Sequence, residues 1–147
     1  MSLQNRVDPH GELFAHVARG ALLGNRGGRF HRDDKTLGAR RWASRQWIAC
    51  VRAFKGRHRE VWGRGTTELF FLDEATAFAA GHRPCFECRR ADALTFSRAF
   101  SAPSDSMPAA EIDRVLHAER LSGRTRRLID SLPDGAFVAL EGAPFLI

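Results

Sequence analysis

Short apolar stretches rich in β-forming residues recur through the first half of the chain and predict a sheet. The longest of them, at 46–54, is followed by a Lys-Gly pair inside 55–58 that is typical of a hairpin turn. The chain is expected to return from that turn as the partner strand of the hairpin. The strands predicted in this way cover residues 13–18, 21–23, 46–54, 60–62 and 67–71. Together they would form a small curved antiparallel sheet.

Helical patterns begin after the last of these strands. Asp73 is suited to cap the start of a helix, and Gly81 stands where a glycine in the left-handed conformation ends one. After a short loop, Ala93, Phe96 and Phe100 recur at helical spacing and predict a second helix. The loop between these two short helices contains a Cys-x-x-Cys knuckle.

The last third of the chain predicts helices and a hairpin. Residues 103–108, with two prolines and three serine or aspartate residues, predict a linker. Two amphipathic helices are expected beyond it, separated at Ser122-Gly123, the second of them carrying Ile129 and Leu132. A hairpin turning at Glu141-Gly142 would follow.

These patterns predict an α+β fold with short helices on the sheet. The 147 residues fall within the size of one domain, so a single domain over 1–147 is expected. Residues 1–102 would form the sheet and knuckle, and 103–147 a helical and hairpin extension. The apolar ending at 145–147 suggests a docked strand or a natural chain that continues further.

Composition favours a cytoplasmic protein that does not enter a membrane. The chain has no apolar run of about 18 residues, and its first residues lack the pattern of a signal peptide. Three cysteines are too few, and odd in number, for a secreted disulfide framework. Reduced thiols are therefore expected.

Charge is divided unequally along the chain. Residues 1–64 carry 14 basic and 5 acidic residues, whereas residues 65–147 carry 9 basic and 12 acidic ones. Arginines interleaved with Trp42, Trp47 and Trp62 suit a nucleic-acid surface, where cations meet phosphates and aromatic rings meet bases. The alternative is that 21 arginines against 2 lysines reflect a coding bias and that the tryptophans lie in the core.

The knuckle predicts a metal site, because a Cys-x-x-Cys turn can direct two sulfurs to one zinc ion. Cys85 and Cys88 supply that pair, and Cys50 is the third sulfur of the chain. A histidine would complete the tetrahedron: His31 is preferred, since a ligand from a distant loop closes more chain, with His82 as the alternative. His58, in the predicted hairpin turn, is a further candidate.

The same residues also fit other functions. A thiol redox pair or inert buried cysteines would also explain the knuckle. His31, Asp33 and Asp34 could serve as acid–base or ligand groups of an enzyme that uses a metal-bound water or a cysteine nucleophile. A structural or partner-binding domain without metal is the third class of function.

The string from Phe70 to Arg89, with Ala-Gly-His-Arg-Pro-Cys at its centre, resembles the second half of the metal-binding domain of Ada-type DNA-repair proteins. The resemblance covers about 20 residues. It implies that Cys85 and Cys88 bind zinc, and it implies contact with nucleic acid, DNA rather than RNA. Arg83, Arg89 and Arg90 would be the matching phosphate-facing residues.

The chain departs from that family at several positions. The family has a closely spaced upstream cysteine pair, one member of which accepts a methyl group, whereas only Cys50 is present here. Methyl transfer is therefore not expected. His82 replaces an aromatic residue, and Arg90 a proline. The basic block contributes the further nucleic-acid-binding candidates Arg40, Arg41 and Arg45.

Overall fold

The computed structural model describes residues 2–102 and 105–147, so the first two positions of the predicted linker, 103 and 104, lie outside the described residues. The predicted α+β class is confirmed. Three α-helices accompany a mixed six-stranded sheet and a separate two-stranded hairpin. None of the helices in the described ranges is both long and apolar enough to cross a membrane.

The main sheet has the strand order β2-β1-β5-β3-β4-β6. Its strands are β1 (Arg6–Val7), β2 (Leu13–Phe14), β3 (Leu22–Arg26), β4 (Trp47–Val51), β5 (Leu69–Phe71) and β6 (Arg83–Pro84). β1 runs parallel to β5 and β6 parallel to β4, while the other pairs are antiparallel. The expectation of a wholly antiparallel sheet is therefore wrong. Parallel neighbours are joined by long crossovers, which local sequence patterns do not reveal.

The predicted return strand at 60–62 does not form. The turn itself is present, with the Arg57 N–H donating to the Phe54 carbonyl, but β4 pairs with β3 and β6 instead. Trp62 has a φ of +58° and is held by Glu68, whose carboxylate and carbonyl accept bonds from its two N–H groups. A contact between side chain and backbone within residues 62–68 thus replaces the hairpin.

The helices are α1 (Glu74–Ala79), α2 (Arg90–Ser101) and α3 (Ala109–Ser122). Asp73 caps α1 as predicted, accepting from the Thr76 N–H at 2.8 Å. Gly81 follows the end of α1 with a φ of +88°, and the His82 N–H donates to the Ala77 carbonyl in a Schellman arrangement. A Cβ at Gly81 would lie 2.7 Å from the Arg120 side chain, so the glycine also makes room for α3.

The last part of the chain lacks one of the two helices that its sequence pattern predicts. Only a 3₁₀ turn, Ile129–Ser131, stands where the second amphipathic helix was expected, and residues 121–131 are exposed. Without a partner surface, a short helix there would gain little from burial. The predicted hairpin is present as β7 (Phe137–Leu140) and β8 (Ala143–Leu146), with Glu141 and Gly142 at positive φ. It pairs with itself and does not extend the main sheet.

The two faces of the main sheet have different surroundings. On one face Trp47, Ala49, Leu69 and Phe71 are buried, most of them in a core shared with α1. Burial of a side chain such as Phe71 contributes about 1.5–3 kcal/mol. The alternate residues of β4, including Cys50, point to the opposite face, where a cavity lies. The sheet therefore separates Cys50 from the core.

A buried ion pair joins α3 to the sheet. Arg83 of β6 donates two hydrogen bonds of 2.9 Å to the Asp113 carboxylate, and both side chains are almost fully buried. The two-residue strand β6 is thus held between β4 and α3. Because β6 leads directly into the knuckle, this pair also stabilises the position of the cysteines.

The ion pair gives a stability prediction. Asp113→Asn should destabilise the protein by about 3–5 kcal/mol, because the Arg83 charge would remain buried without its partner. Urea unfolding followed by circular dichroism measures the change. Glu111→Gln is the matched control, since it removes an exposed carboxylate from the same helix, where it pairs with Arg114. Equal, small effects of both substitutions would contradict this role of Asp113.

Candidate metal centre

Backbone hydrogen bonds position the knuckle beside β4. After β6, the Cys85 N–H donates to the Ala49 carbonyl at 3.0 Å, directly next to Cys50. The knuckle then turns tightly, with the Arg89 N–H donating to the Cys85 carbonyl at 3.0 Å. The Glu87 N–H points at the Cys85 sulfur from 3.4 Å. Backbone pairing therefore directs sulfurs from two separate elements to one place.

The three cysteines lie close together, compatible with a metal site. The sulfurs of Cys50, Cys85 and Cys88 are all within 4.8 Å of one another, and none forms a disulfide. Ligand sulfurs at about 2.3 Å from a tetrahedral zinc ion lie about 3.8 Å apart, so the cluster is near the required size. The donor set fits a thiophilic metal.

Mutual hydrogen bonds give one of the sulfurs thiolate character. The pKa of Cys85 is lowered to about 5, chiefly because its sulfur accepts a hydrogen bond from Cys50. The pKa of Cys50 is raised, since its thiol is that donor and is also buried. Burial likewise raises the pKa of Cys88. The thiolate is the form of cysteine that binds metals.

A cavity of about 390 Å³ opens in front of the sulfurs. Its floor is the sheet face that carries Cys50, and its wall is formed by the loop between β4 and β5 together with Arg19 from the segment before β3. Four arginines line it: Arg19, Arg52, Arg57 and Arg59. The site is therefore accessible from a cavity with a cationic wall.

One histidine, His58, lines the same cavity. Its neighbour Arg57 is anchored to the knuckle through a 2.6 Å ion pair with Glu87. Glu68, which also lines the cavity, accepts bonds from Trp62 and Thr66. Among the cavity-lining carboxylates and histidine described, His58 alone has no hydrogen-bond or ion-pair partner. Its exposed ring does not belong to the cluster that the three sulfurs form.

The preferred fourth ligand, His31, is held elsewhere. The Thr67 hydroxyl donates to its Nδ1 at 2.7 Å, and its Nε2 donates to the Gly63 carbonyl at 2.9 Å. Its ring also stacks on Trp62. The structure does not bring His31 to the three sulfurs, because both of its nitrogens are engaged in local packing.

The alternative ligand His82 lies on the other face of the sheet. It is fully buried between Trp47 and Phe71, and its Nε2 accepts a bond from Arg26. Burial holds its pKa well below the usual value. Within residues 2–102 and 105–147, the metal-ligand cluster consists of the three cysteines and contains none of His31, His58 and His82.

The acidic pair considered for an enzyme also lies apart from the cysteines. Asp33 forms an exposed ion pair with Arg29, and Asp34 accepts bonds from Thr36 within its own loop. Neither carboxylate belongs to the cysteine cluster. This loop has the features of a solvated turn.

The predicted nucleic-acid-binding arginines divide into two groups. Arg83 is buried against Asp113, and Arg89 is buried with Glu74 and Asp92 as ion-pair partners. These two guanidiniums serve the fold and are not free to meet phosphates. The other candidates are accessible at least in part: Arg40, Arg45 and Arg90 are exposed, and Arg41 is half-buried.

Sequence reasoning missed most of the cavity wall. Its arginines are spread over the chain from Arg19 to Arg59, and no motif connects them. The sequence did contain one indication that Arg57 and His58 lie near the cysteines. They belong to the loop that follows the strand with Cys50, and such a loop begins close to that residue. The predicted hairpin directed those residues away from the knuckle instead.

No protein-family model matches this chain, and no curated protein or solved structure is significantly similar to it. The Ada-like string at residues 70–90 therefore stays a prediction.

Proposed function

We propose that this protein is a zinc-stabilised module that binds nucleic acid through an arginine-rich surface. The observation that carries the proposal is the convergence of Cys50, Cys85 and Cys88 within 4.8 Å. The chain has no other cysteines, and all three meet at one point. If the cysteines were only inert buried residues, nothing would require their three sulfurs to lie together.

Zinc is the metal that this donor set favours. Magnesium and calcium require oxygen ligands, whereas thiolates select zinc, copper(I) or iron–sulfur clusters. Three cysteines with one further ligand form an ordinary structural zinc site. The resemblance of residues 70–90 to Ada-type domains supports the same metal.

His58 is the proposed fourth ligand in place of His31 and His82. Its exposed side chain lies outside the sulfur cluster and would turn towards the ion on binding. It lines the cavity in front of the sulfurs, and the Arg57–Glu87 ion pair holds its segment against the knuckle. Three thiolates and one Zn²⁺ leave a net charge of −1. The arginines of the cavity wall offset that charge and lower the cost of placing it in the protein.

Nucleic-acid binding is supported by the distribution of charge. The first 64 residues carry nine more basic than acidic residues. Arg40, Arg45 and Arg90 present exposed guanidiniums that could neutralise phosphates. The Ada-like string favours DNA over RNA. In this account the metal stabilises the scaffold, and the arginines bind the ligand.

Zinc binding can be tested by changing its ligands. Cys85→Ser and His58→Ala should each weaken zinc affinity by about tenfold or more, since even outer groups of metal sites contribute that much. Competition with a chromogenic chelator measures the affinity. His16→Ala is the matched control and should bind like the unchanged protein, because His16 is exposed and its Nδ1 accepts a hydrogen bond from the neighbouring Ala18 N–H.

The unchanged protein should contain one zinc ion per chain. Removing it should lower the melting temperature by roughly 10 °C or more, because metal-binding energy is also folding energy. Absence of zinc together with unchanged melting after chelation would contradict the proposal. If His58→Ala behaves like His16→Ala, the three thiolates bind the ion without this histidine.

Nucleic-acid binding should depend steeply on salt. Fluorescence anisotropy with labelled DNA should give a linear decrease of log K with log salt, from which the number of phosphate contacts follows. Arg40→Ala with Arg45→Ala should reduce the magnitude of that slope by about two, one for each contact. Arg98→Ala, an exposed arginine on α2 outside the proposed set, is the control. No salt-sensitive binding to DNA or RNA would contradict this part of the proposal.

A further inference from the structure

A second groove, of about 500 Å³, lies on the sheet face opposite the cysteines. It is bounded by the segment around Trp42 and Trp47, by the turn after α1, and by the second half of α3. The cations that line it include Arg120 and Arg124, with His117 beside them. Its acidic lining residue is the exposed Glu119.

Two guanidiniums pack on the Trp47 ring without an ion-pair partner, and one of them, that of Arg120, lines this groove. The Cζ atoms of Arg26 and Arg120 lie 3.9 and 4.0 Å from the ring of Trp47. Neither forms a salt bridge with a carboxylate in the part of the chain that the structure describes. Both donate to backbone carbonyls instead, among them those of Gly11 and Gly81.

Burial disfavours the charged form of both guanidiniums. Burial and then repulsion from Arg120 lower the pKa of Arg26 to about 9, and burial lowers that of Arg120 to about 10. The Arg120 Nε is buried without a hydrogen-bond partner. Nearby carboxylates only partly offset the effect of burial on these pKa values: those of Asp113 and Glu119 for Arg120, and those of Glu12 and Asp8 for Arg26. Buried cations without an ion-pair partner are costly, so an anion bound nearby would be favoured.

An aromatic surface stands beside these cations. Trp42 remains 39% exposed, and its ring contacts Trp47 at 5.9 Å and the edge of His117 at 6.1 Å. A large indole left partly in water next to guanidiniums that form no ion pair combines a stacking platform with phosphate-binding charge. That combination is typical of sites for single-stranded nucleic acid, and an acidic peptide would make no use of the ring.

We propose that this groove binds one nucleotide unit of a single-stranded nucleic acid, with the base on Trp42 and the phosphate at Arg120 and Arg124. This inference rests on the proposed function, since it requires that nucleic acid be the ligand. It goes further in assigning the strand form and the site. Bases within a duplex cannot reach Trp42, because their faces are stacked on one another.

The test is anisotropy with a labelled twelve-nucleotide DNA strand, in parallel with a duplex of the same length. The unchanged protein should bind the single strand more tightly at equal salt. Trp42→Ala should weaken that binding roughly 5- to 150-fold, the range found for the loss of one stacked base. Trp42→Phe keeps an aromatic face and should retain most of the affinity.

Arg124→Ala and Arg64→Ala provide a charge-matched comparison. Both remove one exposed cation from the basic protein, but Arg64 lies outside the groove. Only Arg124→Ala should weaken binding beyond the general effect of charge. If Trp42→Ala does not fold, Trp42→Phe and the arginine pair still decide the question, because the groove predicts a difference between Arg124 and Arg64.

The outcomes separate the two proposals. Binding that is equal for strand and duplex, or unaffected by Trp42→Ala, would overturn the groove and leave nucleic-acid binding by other arginines intact. Displacement of the labelled strand by polyglutamate as readily as by unlabelled DNA would show that charge alone acts, and would also overturn it. Failure of the unchanged protein to bind any nucleic acid would overturn both proposals.

Discussion

The short parallel pairing between β4 and β6 is the constraint on which the candidate site depends. The bond from the Cys85 N–H to the Ala49 carbonyl places the knuckle next to Cys50, and the Arg83–Asp113 ion pair holds β6 in that position. A slip of one residue in β4 would turn Cys50 towards the core. Two residues of strand therefore determine whether three sulfurs meet or lie apart.

The sheet separates two kinds of chemistry. On one face the cysteines open onto a cavity with an arginine wall, and on the other Trp47 lies against the guanidiniums of Arg26 and Arg120. This arrangement explains how one chain can carry both an excess of positive charge and a cluster of potential thiolates. The two sites share the scaffold, since β4 contributes Cys50 to one and Trp47 to the other.

The ends of a helix could be predicted from the sequence, whereas contacts between particular side chains could not. Asp73 and Gly81 bound α1 as expected, because capping depends on neighbouring backbone groups. The meeting of the knuckle with Cys50 could be predicted, because the chain has only three cysteines and a zinc site needs more sulfur ligands than the knuckle supplies. The role of Arg83 could not be predicted, because its partner Asp113 lies thirty positions away and nothing in the spacing connects the two. The proposed fourth ligand His58 was not preferred, because the predicted hairpin directed it away from the knuckle. The return strand at 60–62 failed for a different reason, since Glu68, only six positions further along, holds Trp62 at a positive φ.

The most direct measurement of the central claim is X-ray absorption at the zinc K-edge of the purified, unchanged protein. The account predicts one zinc ion with three sulfur neighbours at about 2.3 Å and one nitrogen neighbour at about 2.0–2.1 Å. Sulfur neighbours in that number require Cys50, Cys85 and Cys88 together, because the chain has no other cysteine. A spectrum with only oxygen and nitrogen neighbours, or protein without a bound metal, would contradict it.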